Sequence, residues 1–349
     1  MRRLTEVIRS IGTLDTDAMR EAERHSDRLT KPPGSLGKLE KLAVQLAGIE
    51  GGYPLQVQKK AIVVMAGDHG VCEEGVSAFP QEVTPQMVLN FLSGGAAVNV
   101  LARHVGADVV CVDMGMKGEL QHERLWVRKV RGGTYNIALG PAMSREEAVQ
   151  ALEAGIAVAD ELAAKGYKLL ATGEMGIGNT TPSAAMLAVF GGLSAEAVVG
   201  RGTGVNDAGL LRKRAVVERA IQLNEPDPVD PLDVLGKLGG FEIAGLAGLV
   251  LGSAANRLPI VIDGFIASVA ALTALRLAPG VGAYMIPSHL SDEAGHRAVL
   301  EQLGIEPILH MDMRLGEGTG AALAMTMIDA AIKLMNEMAT FDSAGVSRE

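Results

Sequence analysis

Cysteine, aromatic rings and long apolar runs are all scarce in this chain. Cys72 and Cys111 are its only cysteines. Both lie in or just beyond apolar, strand-like runs, so they read as reduced thiols of a cytosolic protein, not as a disulfide framework. No zinc-ligand spacing accompanies them, and PSHLSDEAGH, with Ser288, His289 and His296, has no metal-binding spacing either. Rings make up 3% of the residues, so the core has to be built from Ala, Val, Leu, Ile and Met. No apolar run reaches the roughly 20 residues of a membrane span, and MRRLTEVIRSIGTLD is too polar for a secretory signal. Positive charge is short as well: 32 Lys and Arg face 41 Asp and Glu, a formal net charge of -9. The basic residues are scattered, which disfavours nucleic acid and anionic membrane as partners. The expectation is a soluble, cytoplasmic protein, and 48% hydrophobic residues with few charges hint at a buried subunit interface.

The chain opens with helical patterns from Leu4 to Gln45, broken by the turn KPPGSLGKLE. After Gly51 the pattern changes to Val- and Ile-rich strands alternating with helices, the mark of a parallel α/β sheet. Six strands are expected, near Ala61 to Ala66, Asp108 to Asp113, Lys168 to Ala171, Leu258 to Ile262, Gly282 to Ile286 and Glu306 to His310. Their ends are polar: Asp68 and His69, Asp113, Glu174, Asp263, Ser288 and His289, then Asp312 and Glu317. Ligands of open parallel sheets bind at the carboxyl ends of the strands, so this one-sided clustering predicts a single cleft. A last helix near Gly318 to Met338 is expected to pack with the N-terminal helices. That gives a small helical domain of residues 1–50 plus about 325–349, beside a large α/β domain of 51–324.

The stretch KLLATGEMGIGNTTPSAAMLAVF carries the clearest chemistry. An apolar strand, Leu169 to Ala171, runs into Gly173, Gly176 and Gly178, which permit positive φ and close approach of a ligand. Asn179 or Thr180 can then cap a helix with Pro182 at an early position. Free N–H groups and the helix dipole favour an anion there. The spacing nearly matches a triphosphate loop, but Asn179 stands where that loop has lysine, so a monophosphate fits better. A glycine-rich turn without a ligand is the alternative. Glu174 argues against it, since a carboxylate beside an anion site suggests work on another part of the substrate.

Three further segments could complete a site. In MRLGEGTGAALA, Glu317 lies between two glycines next to apolar Met313 and Leu315. Desolvation there would raise its pKa and suit it to general base catalysis, although a helix-cap glutamate is the plainer alternative. The GRGTG turn, with Gly202, precedes a basic run in which Lys213 is the expected partner of a phosphate monoester. Phe79, Pro80 and Met87 could wall a flat aromatic ligand or simply pack in the core, and His69 could be a ligand, a base or structural.

Taken in order, KPPGSLGKLE, GDHGV, EMGIGNTTPSAAM, GRGTG with Lys213, KLGGFEIAG, DGFI, IPSHLS and HMDMRLGEGTGAALA closely resemble the nicotinate-nucleotide:dimethylbenzimidazole phosphoribosyltransferase family over almost the whole chain. The resemblance implies a homodimer with a Rossmann-like, mainly parallel six-stranded sheet and a small helical domain. It implies phosphoribosyl transfer from nicotinate mononucleotide to a benzimidazole-type acceptor, 5,6-dimethylbenzimidazole, with inversion at the anomeric carbon, for the lower ligand of cobalamin. By motif, Glu317 is similar to the family's catalytic base, with Glu174 expected to stabilise developing positive charge. Gly176, Ile177, Gly178, Asn179, Thr180, Gly202 and Lys213 match its phosphoribosyl-binding elements. Phe79, Met87, Met175 and Leu315 fall where the family holds the benzimidazole. The scheme calls for neither metal nor cofactor, because the phosphate is a handle and not part of a pyrophosphate leaving group. The competing functions are a nucleotide-dependent oxidoreductase or methyltransferase, disfavoured by the missing early G-x-G-x-x-G turn, and a nucleotide sensor without catalysis.

Overall fold

A parallel six-stranded sheet organises the chain, whose computed structural model describes residues 2–347. Its strands are β1 (Lys60–Gly67), β2 (Ala107–Gly115), β3 (Leu125–Val127), β4 (Leu169–Met175), β5 (Ile260–Ile262) and β6 (Met285–Pro287). The spatial order is β3-β2-β1-β4-β5-β6 with every pairing parallel, the doubly wound arrangement of a Rossmann-like sheet. The chain builds outward from β1 to β3, then crosses back to lay β4 against the other side of β1. Loops leaving β1 and β4 therefore diverge, and a crevice opens at their carboxyl ends.

Two differences from the expected strands have physical causes. The segment near Glu306 to His310 does not join this sheet: β8 (Leu309–His310) pairs with β7 (His289–Leu290) as a separate two-stranded element. The sixth place is taken by β3, whose LWV is too short and too closely flanked by charge to stand out as a pattern.

Alternate residues of β1 serve opposite faces, as strand pleating requires. Ala61, Val63 and Met65 join one buried cluster, while Ile62, Val64 and Ala66 join the other. The first cluster is centred on the helix Phe241–Ala255, almost wholly buried, which crosses Arg145–Ala164 at very short range. Gly155, Gly245 and Gly248 make that crossing possible, since a Cβ on Gly155 or Gly248 would overlap backbone carbonyl groups of the facing helix. The second cluster holds Thr319–Glu337, on which Lys38–Glu50 packs. Tyr53 Oη donates to Met335 O at 2.9 Å, and Asn336 Nδ2 to Leu55 O at 2.9 Å.

Candidate active site

The turn that enters the helix Thr319–Glu337 is unusual in its backbone. Gly316, Glu317 and Gly318 all have positive φ, at 80°, 63° and 96°. For glycine this is ordinary, but a glutamate there carries strain of about 1–3 kcal/mol that its surroundings must offset. The surroundings do so with carboxylates. Glu317 N–H donates to Glu174 Oε1 at 3.2 Å, and Gly318 N–H to Asp263 Oδ2 at 3.1 Å. Ala321 N–H donates to Asp263 Oδ1 at 2.9 Å. Asp263, at the end of β5, thus caps a helix to which it is not connected in sequence, replacing the missing side-chain cap at Gly318. The Glu317 side chain is 5% exposed and, among the described residues, its carboxylate accepts no hydrogen bond. Burial, followed by repulsion from Asp263, pushes its pKa up to about 7.

Glu174, at the end of β4, faces this turn. Its carboxylate accepts from the Asn179 side-chain amide and from the Glu317 amide. Burial pushes its pKa up to about 7 as well, against the lowering effect of those two hydrogen bonds and with a smaller upward push from Asp263 and Glu242. Asn179 consequently does not cap the helix Thr180–Gly191, contrary to the simplest reading of the motif. Of the three glycines expected to adopt positive φ, only Gly178 does so. Gly173 lies inside β4, where its missing Cβ lets the Glu317 backbone approach; Gly176 closes against Gly67 O. The amide of Ile177 is committed to Thr84 Oγ1 at 3.1 Å.

A buried cation stands behind the helix start. Lys213, from the helix Asp207–Asn224, places Nζ 2.6 Å from Thr180 Oγ1 and 3.3 Å from Gly200 O. An ammonium has three N–H donors, so one is left for another acceptor. Burial pulls its pKa down to about 8, with Glu293 working in the opposite direction. Arg314 Nη1 donates to Gly202 O at 3.2 Å, tying the GRGTG turn to the segment that leads into Glu317.

These elements surround a cavity of about 480 Å³. Glu174, Met175, Gly176, Ile177, Asn179, Thr180, Gly202, Phe79 and Leu315 line it, so most of the residues expected at a site are gathered around one space. Lys213 lies behind Thr180, and Glu317 behind Gly316 and Glu174, both a single contact from the lining. Gly178 turns toward Cys72 Sγ instead. Met87 packs against the second core cluster, away from the lining.

A sequence profile for a family described as Phosphoribosyltransferase matches residues 11–346. The nicotinate-nucleotide–dimethylbenzimidazole phosphoribosyltransferase of Chloroflexus aggregans is 56% identical over 99% of this chain and 98% of its own. Its namesake from Geobacter sulfurreducens is 55% identical with the same coverage. The crystal structure of the Thermus thermophilus enzyme of that name superposes with a TM-score of 0.91 at 48% identity, covering 96% of this chain and 100% of that one. The chain belongs to the nicotinate-nucleotide–dimethylbenzimidazole phosphoribosyltransferase family.

Membership makes it a pentosyl-transferring enzyme and rules against the oxidoreductase and methyltransferase alternatives. Within this phosphoribosyltransferase the residues missed by sequence reasoning are those that act through space. Asp263, Ser291 and Arg314 lay inside the motifs DGFI, IPSHLS and HMDMRLGEGTGAALA but were not singled out as site residues, and Glu293 carried no local signal. The start of the helix Phe265–Leu277, from Gly264 to Ala267, also lines the cavity and has no side-chain cap. The DGFI segment was its only trace in the sequence.

Proposed function

We propose that this enzyme moves the 5-phosphoribosyl group of nicotinate mononucleotide to 5,6-dimethylbenzimidazole, yielding nicotinate and α-ribazole 5'-phosphate for the lower ligand of cobalamin. The observation that carries the residue assignments is the hydrogen bond from the Glu317 backbone amide to Glu174, which lines the cavity, with Lys213 behind Thr180, also on that lining.

In this assignment the monoester sits by Thr180, Asn179 and Gly202, where the helix start and the remaining Lys213 N–H meet it. Gly176, Ile177 and Gly178 shape that loop. The bond from the anomeric carbon to the pyridinium nitrogen breaks with its electron pair going to nitrogen, so the nicotinate ring leaves neutral and needs no acid. Glu174, as carboxylate, stabilises the positive charge that builds on the sugar. The acceptor's lone-pair nitrogen attacks from the opposite face, inverting β to α, while Glu317 takes the proton from its other nitrogen. Phe79, Met175 and Leu315 form the apolar wall for that acceptor, and Met87, packed against the second core cluster, is not part of it.

We also place the enzyme in the cytoplasm as a homodimer, and its N- and C-terminal helices in a small unit beside the sheet domain. The exposed apolar side chains of Tyr135, Leu139 and Val229 support an interface. Among the described residues no helix is long and apolar enough to cross a membrane.

The test is nicotinate release from nicotinate mononucleotide, followed with and without dimethylbenzimidazole. The expected result is acceptor-dependent release with one ribosyl product formed per nicotinate. Tight binding with no release would make the protein a sensor.

A further inference from the structure

Under the loop that follows β4 lies a polar pair that the reaction scheme leaves unused. His69 Nε2 and Glu242 Oε1 are 2.7 Å apart, with their side chains 1% and 0% exposed. Glu242 is in the first turn of the buried helix Phe241–Ala255, where the dipole favours a carboxylate. Three glycines from three elements make room for the pair. A Cβ on Gly67 would lie 2.7 Å from Glu242 Oε2, and one on Gly176 would lie 3.2 Å from both His69 Nε2 and Glu242 Oε1. One on Gly240 would collide with the imidazole ring. The pair therefore fills the space beneath Gly176, where the cavity-lining loop begins. The segment after His69 braces the same loop: Cys72 Sγ donates to Ile177 O at 3.0 Å, and Thr84 Oγ1 accepts from Ile177 N–H at 3.1 Å.

Around His69 stand Asp68 on its own segment, Glu242 from the helix and Glu174 from β4, with Lys117 and Cys72 facing Asp68. Burial disfavours the imidazolium, yet the attraction of Glu242, Asp68 and Glu174 outweighs it and raises the His69 pKa. Glu174 in turn faces Asp263 and Glu242 as well as the Glu317 amide and Asn179.

The geometry points to His69, clamped by Glu242, as a positioning residue for the transfer: it props Gly176 and supplies a buried positive charge that offsets Glu242 near Glu174. This deepens the proposed reaction and rests on it. Loss of the ring charge leaves Glu242 uncompensated, so the ionisation of Glu174 moves to higher pH. Removing both charges together restores neutrality.

The pH dependence of kcat for nicotinate release is the first readout. His69→Gln moves the acid limb up by about half a unit or more and lowers kcat, with the acceptor KM within about twofold of wild type. His69→Gln combined with Glu242→Gln brings the limb back to within about 0.2 units of wild type. A folded His69→Gln with an unmoved limb, or a double variant whose limb does not return, overturns the proposal. The second readout needs no activity: ¹⁵N spectra followed across pH should show one histidine of the wild-type protein losing its second proton above the ordinary imidazole range, a transition that the double variant lacks. If no histidine titrates above that range, the proposal fails even should the single variant not fold. Absence of acceptor-dependent release in wild type would instead sink the reaction, while leaving the spectral result to judge His69.

Discussion

Glu317 occupies a backbone conformation that costs energy, in a place where its charge costs more. Both costs suit the base role proposed for it: a fixed direction and a pKa near working pH. On the proposed reaction Glu317→Gln keeps the shape and removes the base, so turnover should drop about a hundredfold or more while nucleotide binding stays within a few-fold. The same substitution makes a thermodynamic prediction. A carboxyl whose pKa is raised from 4.5 to about 7 by folding favours the native state in its protonated form, and that benefit is lost as pH rises through 7. Glu317→Gln should therefore melt higher than wild type at pH 8.5, with no advantage at pH 4; equal melting at both would show that burial of the charge costs nothing. Lys213 poses a separate question. Its free N–H donor should matter to the monoester alone, so Lys213→Ala ought to weaken nicotinate mononucleotide by about ten- to a hundredfold in calorimetry and the unphosphorylated riboside far less. Equal losses would put the phosphate elsewhere.

Elements, more than residues, fix where the site lies, and they were unevenly visible in the sequence. The strands β1 and β2 announce themselves as Val-rich runs and β4 as a short Leu-Leu-Ala run, all with polar ends, and the cleft follows from those ends. The short β3 and the pairing of β7 with β8 do not, because a two- or three-residue strand is defined by its neighbour's backbone and not by its own pattern. The site divides likewise. Glu174 and Glu317 sit in glycine-rich segments that invite attention, whereas Asp263 works by capping a helix 55 residues away in sequence, a role that exists only once β5 and that helix meet. The glycine crossing of Arg145–Ala164 with Phe241–Ala255 was equally hidden. Gly155→Val would force those helices apart at the centre of the core, and should destabilise the protein by at least about 1–3 kcal/mol in denaturant titration. A change within experimental error would mean the crossing can slide.

At the scale of the whole molecule the prediction concerns assembly. A dimer should give twice the chain mass by light scattering at micromolar concentration. Charged substitutions at Leu139 and Val229, 72% and 84% exposed, should lower that mass if the interface includes them. A chain-mass peak for the unmodified protein would remove the homodimer. Composition had already bounded the molecule well: with so few rings and so many small aliphatic residues, tight packing of glycine and alanine faces was the available route to a large core.

Phe79 and Leu315 flank the cavity yet remain 53% and 57% exposed, while the carboxylates and the lysine behind them are buried. In the proposed reaction, acceptor choice is thus separated from bond-making chemistry by a layer of loop. On that scheme, a library randomised at those two positions should re-target the enzyme to bulkier or more polar heterocycles without disturbing the strained turn that carries Glu317.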